Sequence, residues 1–100
     1  MIIVQVKIIP KDIESREKII EFAQDLIEKS KIEEGNIDYN LLIDTSDNTL
    51  MFLEQWKCKN KLENHLKTEY LLKFNENISS LTKSENMIKV FLADQIQDPI

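Results

Sequence analysis

Two alternating segments within residues 35–58 restrict the possible folds of this chain more than any other part of its sequence. Apolar and polar residues alternate with a period of two over residues 36–44 and again over residues 50–58, a pattern typical of β-strands. The polar, turn-forming residues 44–48 separate the two segments and predict an antiparallel hairpin. One face of this hairpin is strongly apolar, so we expect the rest of the chain to cover it.

The alternation assigns the hairpin side chains to two faces. On the first strand, Tyr39 and Asn36 fall on opposite faces, so at most one of them reaches a given cavity unless a β-bulge intervenes. On the second strand, Phe52, Glu54 and Trp56 fall on one face and therefore share whichever environment that face has.

The segments on either side of the hairpin supply further strands and helices. Residues 2–9 alternate and are rich in β-branched side chains, and residues 87–93 alternate again, so each segment is predicted to be a strand. Elsewhere the apolar residues recur at helical spacing. This spacing predicts helices over residues 13–34, 60–67 and 69–82.

Several residues mark where these helices begin and end. Asp12 is placed to cap the first helix, and Gly35 to supply a left-handed backbone conformation beyond its end. Asn60 with Glu63 has the spacing of a capping box at the start of the second helix. Thr68 is expected to divide the second helix from the third.

The elements follow the order strand, helix, strand, strand, interrupted helix, strand. Layer packing and right-handed crossovers convert this order into an α+β, ferredoxin-like β-α-β-β-α-β antiparallel sheet with the helices on one face. The sequence predicts one domain over residues 1–94 and a C-terminal tail over residues 95–100. Several strands carry Ile or Leu on both faces, so we expect a second subunit to cover the open sheet face in a homodimer.

The composition argues against several classes of function. A net charge of -5 and a pI near 4.9 disfavour binding to nucleic acid, which needs clustered Lys and Arg. A single His, a single Cys and a single Gly provide neither a recognisable set of metal ligands nor a phosphate-binding loop. No apolar run approaches the roughly 20 residues that span a bilayer. The lone Cys58 cannot form an internal disulfide, so we expect a cytoplasmic protein.

Three stretches of the sequence carry a family resemblance. They are EGNIDYNL at residues 34–41, FLEQW at residues 52–56 and LENHLKT at residues 62–68. In sequence and in spacing they resemble the signature stretches of the antibiotic biosynthesis monooxygenase (ABM) domains, also called quinol monooxygenase-like. The resemblance extends over residues 3–93. It implies a ferredoxin-like fold paired as a dimeric α+β barrel, in agreement with the fold predicted from the residue pattern.

The resemblance also implies a reaction. Domains of this kind oxidise an electron-rich aromatic, such as a hydroquinone or an anthrone, with molecular oxygen and without metal or flavin, because the substrate supplies the electrons. Such chemistry needs an apolar cavity that excludes water, a group that accepts a phenolic proton and donors that stabilise the anion. The expected partner is therefore a small aromatic molecule, and no cofactor is expected.

Two titratable side chains are the candidate catalytic residues. His65 is the one side chain whose ordinary pKa suits proton transfer near neutral pH, and it matches the histidine of the third signature. A hydrogen bond to Glu54 or to a backbone carbonyl is the structural alternative. Glu54 must be paired or have a raised pKa if its strand face is buried. Two roles are open for Glu54, a catalytic base or a member of a structural pair. The structural pair is favoured, because a buried carboxylate is usually hydrogen-bonded.

Five further residues are candidates for binding the substrate. Trp56 is of a type more often found in the core, but as a cavity wall its indole would stack on a flat substrate. Tyr39 and Asn36 offer a phenol and an amide, and Tyr39 is preferred. Tyr70, near the break between helices, is placed to close the cavity mouth. Phe52 is the fifth candidate.

Two other functions stay open at this point. The fold also suits a non-catalytic dimeric module that binds or senses a small aromatic or lipid-like molecule, and a structural dimer whose cavity is filled by its own side chains.

A related branch of these barrels degrades haem with an iron-ligating histidine ten residues after the position of His65. Asn75 occupies that position here, so haem breakdown of that type is disfavoured.

Overall fold

The computed structural model describes residues 1–96 of the chain. Residues 97–100 of the expected C-terminal tail lie outside the described residues. Among the residues described, no helix is long and apolar enough to cross a membrane. The elements in chain order are β1 (Ile2–Ile8), α1 (Ile13–Lys31), β2 (Asn36–Ile43), β3 (Leu50–Trp56), α2 (Lys59–Leu66), α3 (Glu69–Ile78) and β4 (Met87–Leu92).

The four strands form one antiparallel sheet in the order β2-β3-β1-β4. A single hydrophobic core joins one face of β1 and β3 to the inward stripes of the helices. This arrangement confirms the predicted α+β, ferredoxin-like fold, with the helices on one face of the sheet. The core residues include Ile2, Val4 and Ile8 of β1, Leu50, Phe52 and Trp56 of β3, Ile19, Ala23 and Leu26 of α1, and Phe74 and Ile78 of α3.

The first helix begins as predicted and ends earlier. The Asp12 side chain accepts a hydrogen bond from the Ser15 backbone N–H at 2.7 Å, which confirms the N-terminal cap. The prediction that the helix extends to residue 34 was wrong, because α1 ends at Lys31. Two glutamates follow, and their charges would be unfavourable at the negative end of the helix dipole. Gly35 then adopts the predicted left-handed conformation, with φ of 88°.

The boundaries of the other two helices differ from the prediction. The capping box at Asn60 was wrong, since α2 begins at Lys59 and its N-cap residue Cys58 makes no side-chain capping bond. The predicted division between the helices is confirmed at Thr68, whose hydroxyl donates to the His65 carbonyl oxygen at 2.8 Å.

The third helix ends at Ile78 and does not continue to residue 82. The Leu81 N–H instead donates to the Ile78 carbonyl at 2.9 Å, and the Leu81 carbonyl accepts from the Lys11 N–H at 2.9 Å. Thr82 forms an isolated β-bridge with Pro10. Residues 79–82 therefore contact the chain after β1 and are not part of α3, although their apolar residues keep helical spacing.

A β-bulge at the start of β2 changes the predicted faces of that strand. The register shifts between Asn36 and Asp38, so that Asn36 pairs with Trp56 and Tyr39 pairs with Glu54. Since directly paired residues share a face, Asn36 and Tyr39 lie on the same face. The assignment of these two residues to opposite faces was therefore wrong, and the bulge is the physical reason.

The sheet face opposite the helices is only partly covered. Leu42 of β2 and both Met87 and Phe91 of β4 are exposed there. Ile3 and Leu53 are of intermediate exposure on the same face. Every residue of β4 is exposed, including those that point toward the helix side. Apolar side chains are therefore left accessible on the outer face of the sheet.

Candidate active site

A cavity of about 610 Å³ lies between the sheet and the helices. Its volume falls within the range of small-molecule sites. Most of the wall area is apolar, and one polar part carries the side chains of Tyr39, Glu54 and His65. A second polar part is formed by α3 and the chain that follows it, with Asn75, Ser79, Thr82, Lys83, Ser84, Glu85 and Asn86. Among residues 1–96, no group of three or more His, Cys, Asp and Glu side chains is arranged to hold a metal ion. The apolar wall includes Val4, Val6, Ile8, Phe52, Phe74 and Ile78.

His65 is held by hydrogen bonds to both of its ring nitrogens. It projects inward from α2 and is only 1% exposed. Its Nδ1 lies 2.6 Å from Glu33 Oε2, and its Nε2 lies 3.3 Å from the Tyr39 hydroxyl. A carboxylate can only accept, so Nδ1 carries the proton. Nε2 is then left to accept the O–H of Tyr39.

Glu54 is buried beside His65 without bonding to it. Its Oε1 accepts the indole N–H of Trp56 at 3.0 Å and lies 4.0 Å from His65 Nε2, which is beyond hydrogen-bonding distance. Burial raises the pKa of Glu54 to about 7, assisted by the charge of Glu33 and opposed by the Trp56 hydrogen bond. A carboxyl group with this pKa can hold or release a proton near neutral pH.

The same burial affects the other titratable groups of the site. It lowers the pKa of His65 below its ordinary value, although the hydrogen bond and charge of Glu33 act in the opposite direction. Burial and the nearby Glu54 carboxylate raise the pKa of Tyr39. At neutral pH the site therefore offers a neutral imidazole as acceptor and a neutral phenol as donor.

The structure brings four of the seven predicted site residues to the cavity wall. These are Tyr39, Phe52, Glu54 and His65. Phe52 packs against Tyr39 with ring centroids 5.5 Å apart, and on its other side it contacts Phe74 at 5.6 Å. An aromatic surface thus continues from the polar side chains into the apolar part of the cavity.

The other three predicted site residues do not line this cavity. Trp56 is fully buried behind it, with its ring 4.7 Å from that of His65, and its indole N–H holds Glu54 in place. The Asn36 amide donates to the carbonyl oxygens of Asp38 and Gln55 at 3.1 and 3.4 Å, and so supports the bulge.

Tyr70, the third of these residues, lies on α3 with its ring 6.5 Å from that of His65. Burial and the neighbouring Glu33 raise the pKa of the Tyr70 hydroxyl to about 12. The Lys29 ammonium lies 5.8 Å from the Tyr70 ring centroid. Tyr70 therefore packs on the Glu33 side of His65 and leaves the cavity wall to other residues.

Glu33 is the site residue that sequence reasoning missed. It follows the end of α1 and contacts His65 at 2.6 Å from a position distant in sequence. A signal for it was present, because a glutamate just after a helix C-terminus is electrostatically unfavourable unless it has another partner. The sequence identifies no such partner, since the contact forms only after the chain turns at Gly35.

The family model for antibiotic biosynthesis monooxygenase matches residues 1–77, a segment that contains Glu33, Tyr39, Glu54 and His65. The chain belongs to the antibiotic biosynthesis monooxygenase family. The resemblance carried by the three signature stretches is thereby confirmed. The match covers the buried polar side chains of the cavity wall, and the part of the lining after residue 77 lies outside it.

Individual proteins agree with the ABM assignment. The chain is 36% identical over 75 residues to the putative monooxygenase YcnE of Bacillus subtilis, covering 74% of this chain and 78% of that protein. It is 32% identical over 85 residues to the uncharacterized protein sll1783 of Synechocystis, covering 84% of this chain and 58% of that protein. A putative antibiotic biosynthesis monooxygenase from Deinococcus radiodurans has the same fold, with a TM-score of 0.89 over 100% of this chain and 99% of that chain at 15% identity.

Proposed function

We propose that this protein is a cofactor-independent monooxygenase-type enzyme that oxidises a quinol or related aromatic phenol with molecular oxygen. The observation that carries the proposal is a buried acid-base group, His65 with Tyr39 and Glu54, set into the wall of an apolar cavity. Membership of the ABM family and similarity to a putative monooxygenase support it.

The proposed reaction begins with proton removal from the substrate. His65 Nε2 is the acceptor, either directly or through the Tyr39 hydroxyl, and the resulting imidazolium is stabilised by Glu33. The substrate anion then reduces oxygen. With an anthrone, a hydroperoxide forms at the ring carbon and loses water, so that one oxygen atom remains as a new carbonyl. With a quinol, two electrons and two protons pass to oxygen and give the quinone and hydrogen peroxide.

The apolar cavity residues support this chemistry by keeping water from the reacting ring and orienting the substrate. The aromatic rings of Phe52 and Phe74 offer flat apolar surfaces to a planar ligand. Glu54, with a pKa of about 7, can return a proton to the developing peroxide or accept the second proton of a quinol. Trp56 keeps the Glu54 carboxyl group in position through its 3.0 Å hydrogen bond.

The test measures oxygen consumption by the purified, metal-free protein with a panel of hydroquinones and anthrones. We expect oxygen uptake in proportion to quinone formed, unchanged by chelators. Labelled oxygen gas is expected to enter the anthrone product as one atom. A panel that yields no enzyme-dependent uptake while the protein stays folded would contradict the proposal.

A second candidate function is a non-catalytic module that binds a small aromatic molecule. One observation favours it: both nitrogens of His65 are already hydrogen-bonded within the protein, to Glu33 and Tyr39. Because these hydrogen bonds form without a ligand, they also suit a rigid cavity wall that binds a molecule and does not react with it. Thermal-shift measurements with the same compounds distinguish the two functions, because a ligand that binds only the folded state raises the melting temperature whether or not turnover follows.

We further propose that the protein forms a homodimer through the sheet face opposite the helices. The exposed Leu42, Met87 and Phe91 support this, since a monomer would leave them in water. We expect light scattering to give twice the chain mass of 11.8 kDa at micromolar concentration. Phe91→Glu is expected to shift the mass toward the monomer.

Leu72→Glu is the matched control for the dimer. Leu72 is an exposed leucine on α3, away from the sheet, so its replacement should leave the mass unchanged. A wild-type mass equal to that of one chain, or an equal response of both variants, counts against an interface on this sheet face.

A further inference from the structure

We propose that Glu33 is a positioning residue that fixes the tautomer of His65 and raises its basicity. The consequence for turnover rests on the proposed function, whereas the consequence for the imidazole does not. Glu33 does not line the cavity, so its effect on a bound substrate passes through His65.

The contact between the two residues has the geometry of a charge-assisted hydrogen bond. Glu33 Oε2 and His65 Nδ1 are 2.6 Å apart, and their side chains are 15% and 1% exposed. A short bond between a carboxylate and a ring nitrogen, largely removed from water, fixes which nitrogen carries the proton. Here it fixes the proton on Nδ1 and directs the basic nitrogen, Nε2, toward Tyr39 and the cavity.

Backbone contacts hold Glu33 in this position. Its N–H donates to the Ser30 carbonyl at 3.1 Å, and its carbonyl accepts from the Asn36 N–H at 3.1 Å. The carbonyl of Gly35 in turn accepts from the Lys57 N–H at 2.9 Å, which ties the turn to the end of β3. The backbone of Glu33, from which its carboxylate projects, is thus fixed on both sides.

The next residue provides a natural comparison. Glu34 carries the same charge, but its side chain is 86% exposed and pairs with Lys61 at 3.1 Å on the surface. Two consecutive glutamates therefore have different environments, one against the imidazole and one in water. A change of charge at Glu34 alters the net charge of the protein equally without touching His65.

The charged and titratable groups around His65 come from each element packed against it. Glu54 of β3 lies near Nε2, Tyr39 of β2 donates to Nε2, and Tyr70 of α3 stands on the Glu33 side. Glu33 alone contacts Nδ1 among the described residues. When Nε2 accepts a proton, Glu33 is the group that stabilises the positive charge at the opposite nitrogen.

The test uses the fact that the chain contains one histidine. Its two ring nitrogens give one pair of ¹⁵N signals, whose shifts report which nitrogen is protonated and at what pH the ring titrates. In the wild type we expect a protonated Nδ1 and an unprotonated Nε2 at neutral pH. Glu33→Gln keeps an acceptor oxygen and should keep this tautomer, but should lower the His65 pKa by about one unit or more.

Two further variants complete the NMR test. Glu33→Ala removes the acceptor and should let the proton redistribute to Nε2, and Glu34→Gln should leave both nitrogen signals and the pKa at their wild-type values. A wild-type ring protonated on Nε2, an unchanged pKa in Glu33→Gln, or an equal shift in Glu34→Gln would each overturn the proposal.

Turnover supplies the second readout. With an active substrate, Glu33→Gln should reduce kcat about tenfold or more, with KM nearly unchanged. The acid limb of the kcat pH profile, along which His65 loses its proton, should move to lower pH. A change confined to KM would contradict a role through His65. Absence of turnover in the wild type would sink the proposed function alone, because the NMR result still decides the role of Glu33.

Discussion

His65→Gln is expected to lower kcat/KM at least a hundredfold. Proton transfer by a positioned side chain typically contributes 10²- to 10⁴-fold, and glutamine cannot accept a proton at neutral pH. The glutamine amide can still donate to Glu33 and accept from Tyr39, so it replaces both hydrogen bonds of the imidazole. Steady-state oxygen consumption with the best substrate measures the loss.

The choice of glutamine separates a chemical effect from a structural one. Alanine at position 65 would leave a cavity and an unpaired Tyr39 hydroxyl in a site that is 1% exposed. The melting temperature of His65→Gln and its stabilisation by bound substrate analogue should remain close to those of the wild type. Turnover within about threefold of the wild type would remove His65 from the mechanism and would assign proton transfer to another group of the site.

The second large effect concerns stability and its dependence on pH. Glu54→Gln is expected to stabilise the protein above pH 7 by about 3 kcal/mol, and this gain should vanish as the pH falls toward 4.5. The unfolded chain releases the Glu54 proton near 4.5, whereas burial raises the pKa to about 7 in the folded protein. The folded state therefore binds more protons between these values, and the free energy of unfolding falls as the pH rises through them. Denaturant unfolding at several pH values measures the difference.

Two comparisons make the stability result interpretable. Because the pKa of His65 is lowered in the folded protein, His65 has the opposite effect, and the free energy of unfolding falls as the pH falls below 6.5. His65 is present in both proteins, so the difference in free energy of unfolding between variant and wild type isolates the effect of Glu54. Glu63→Gln, at an exposed position that pairs weakly with Lys59, should change stability by less than about 0.5 kcal/mol at any pH. A Glu54→Gln variant that is less stable than the wild type at pH 8 would mean that the carboxylate is stabilised by its surroundings, as in a structural pair.

Much of the fold could be predicted because its determinants are local. Alternation defined the four strands, and helical spacing defined the three helices, including the division at Thr68. The cap at Asp12 and the left-handed Gly35 depend on the backbone within a few residues, and both are confirmed. Two of the errors in the fold lie where distant segments meet. The pairing of Thr82 with Pro10 ends α3, and the bulge opposite Trp56 rotates Asn36 onto the face of Tyr39.

The site was predictable to the same extent. Period-two alternation placed Phe52, Glu54 and Trp56 on one face, and the family resemblance added His65. The structure brings these four residues together. Alternation does not distinguish a residue that lines a cavity from one packed behind it. Trp56 is packed behind, where its indole serves Glu54.

The sequence by itself determined the strands, the helices and the buried face that carries Glu54, because each of these follows from spacing within one segment. The order of these elements then predicted the ferredoxin-like sheet. Only the tertiary structure decided which partner His65 takes. Glu54, one of the two kinds of partner that the sequence suggested, lies 4.0 Å away and bonds to Trp56, while Glu33 approaches from the turn after α1 to 2.6 Å. That contact joins residues distant in sequence, and its distance depends on where the turn at Gly35 directs the chain. Spacing along a sequence contains no information about such a distance.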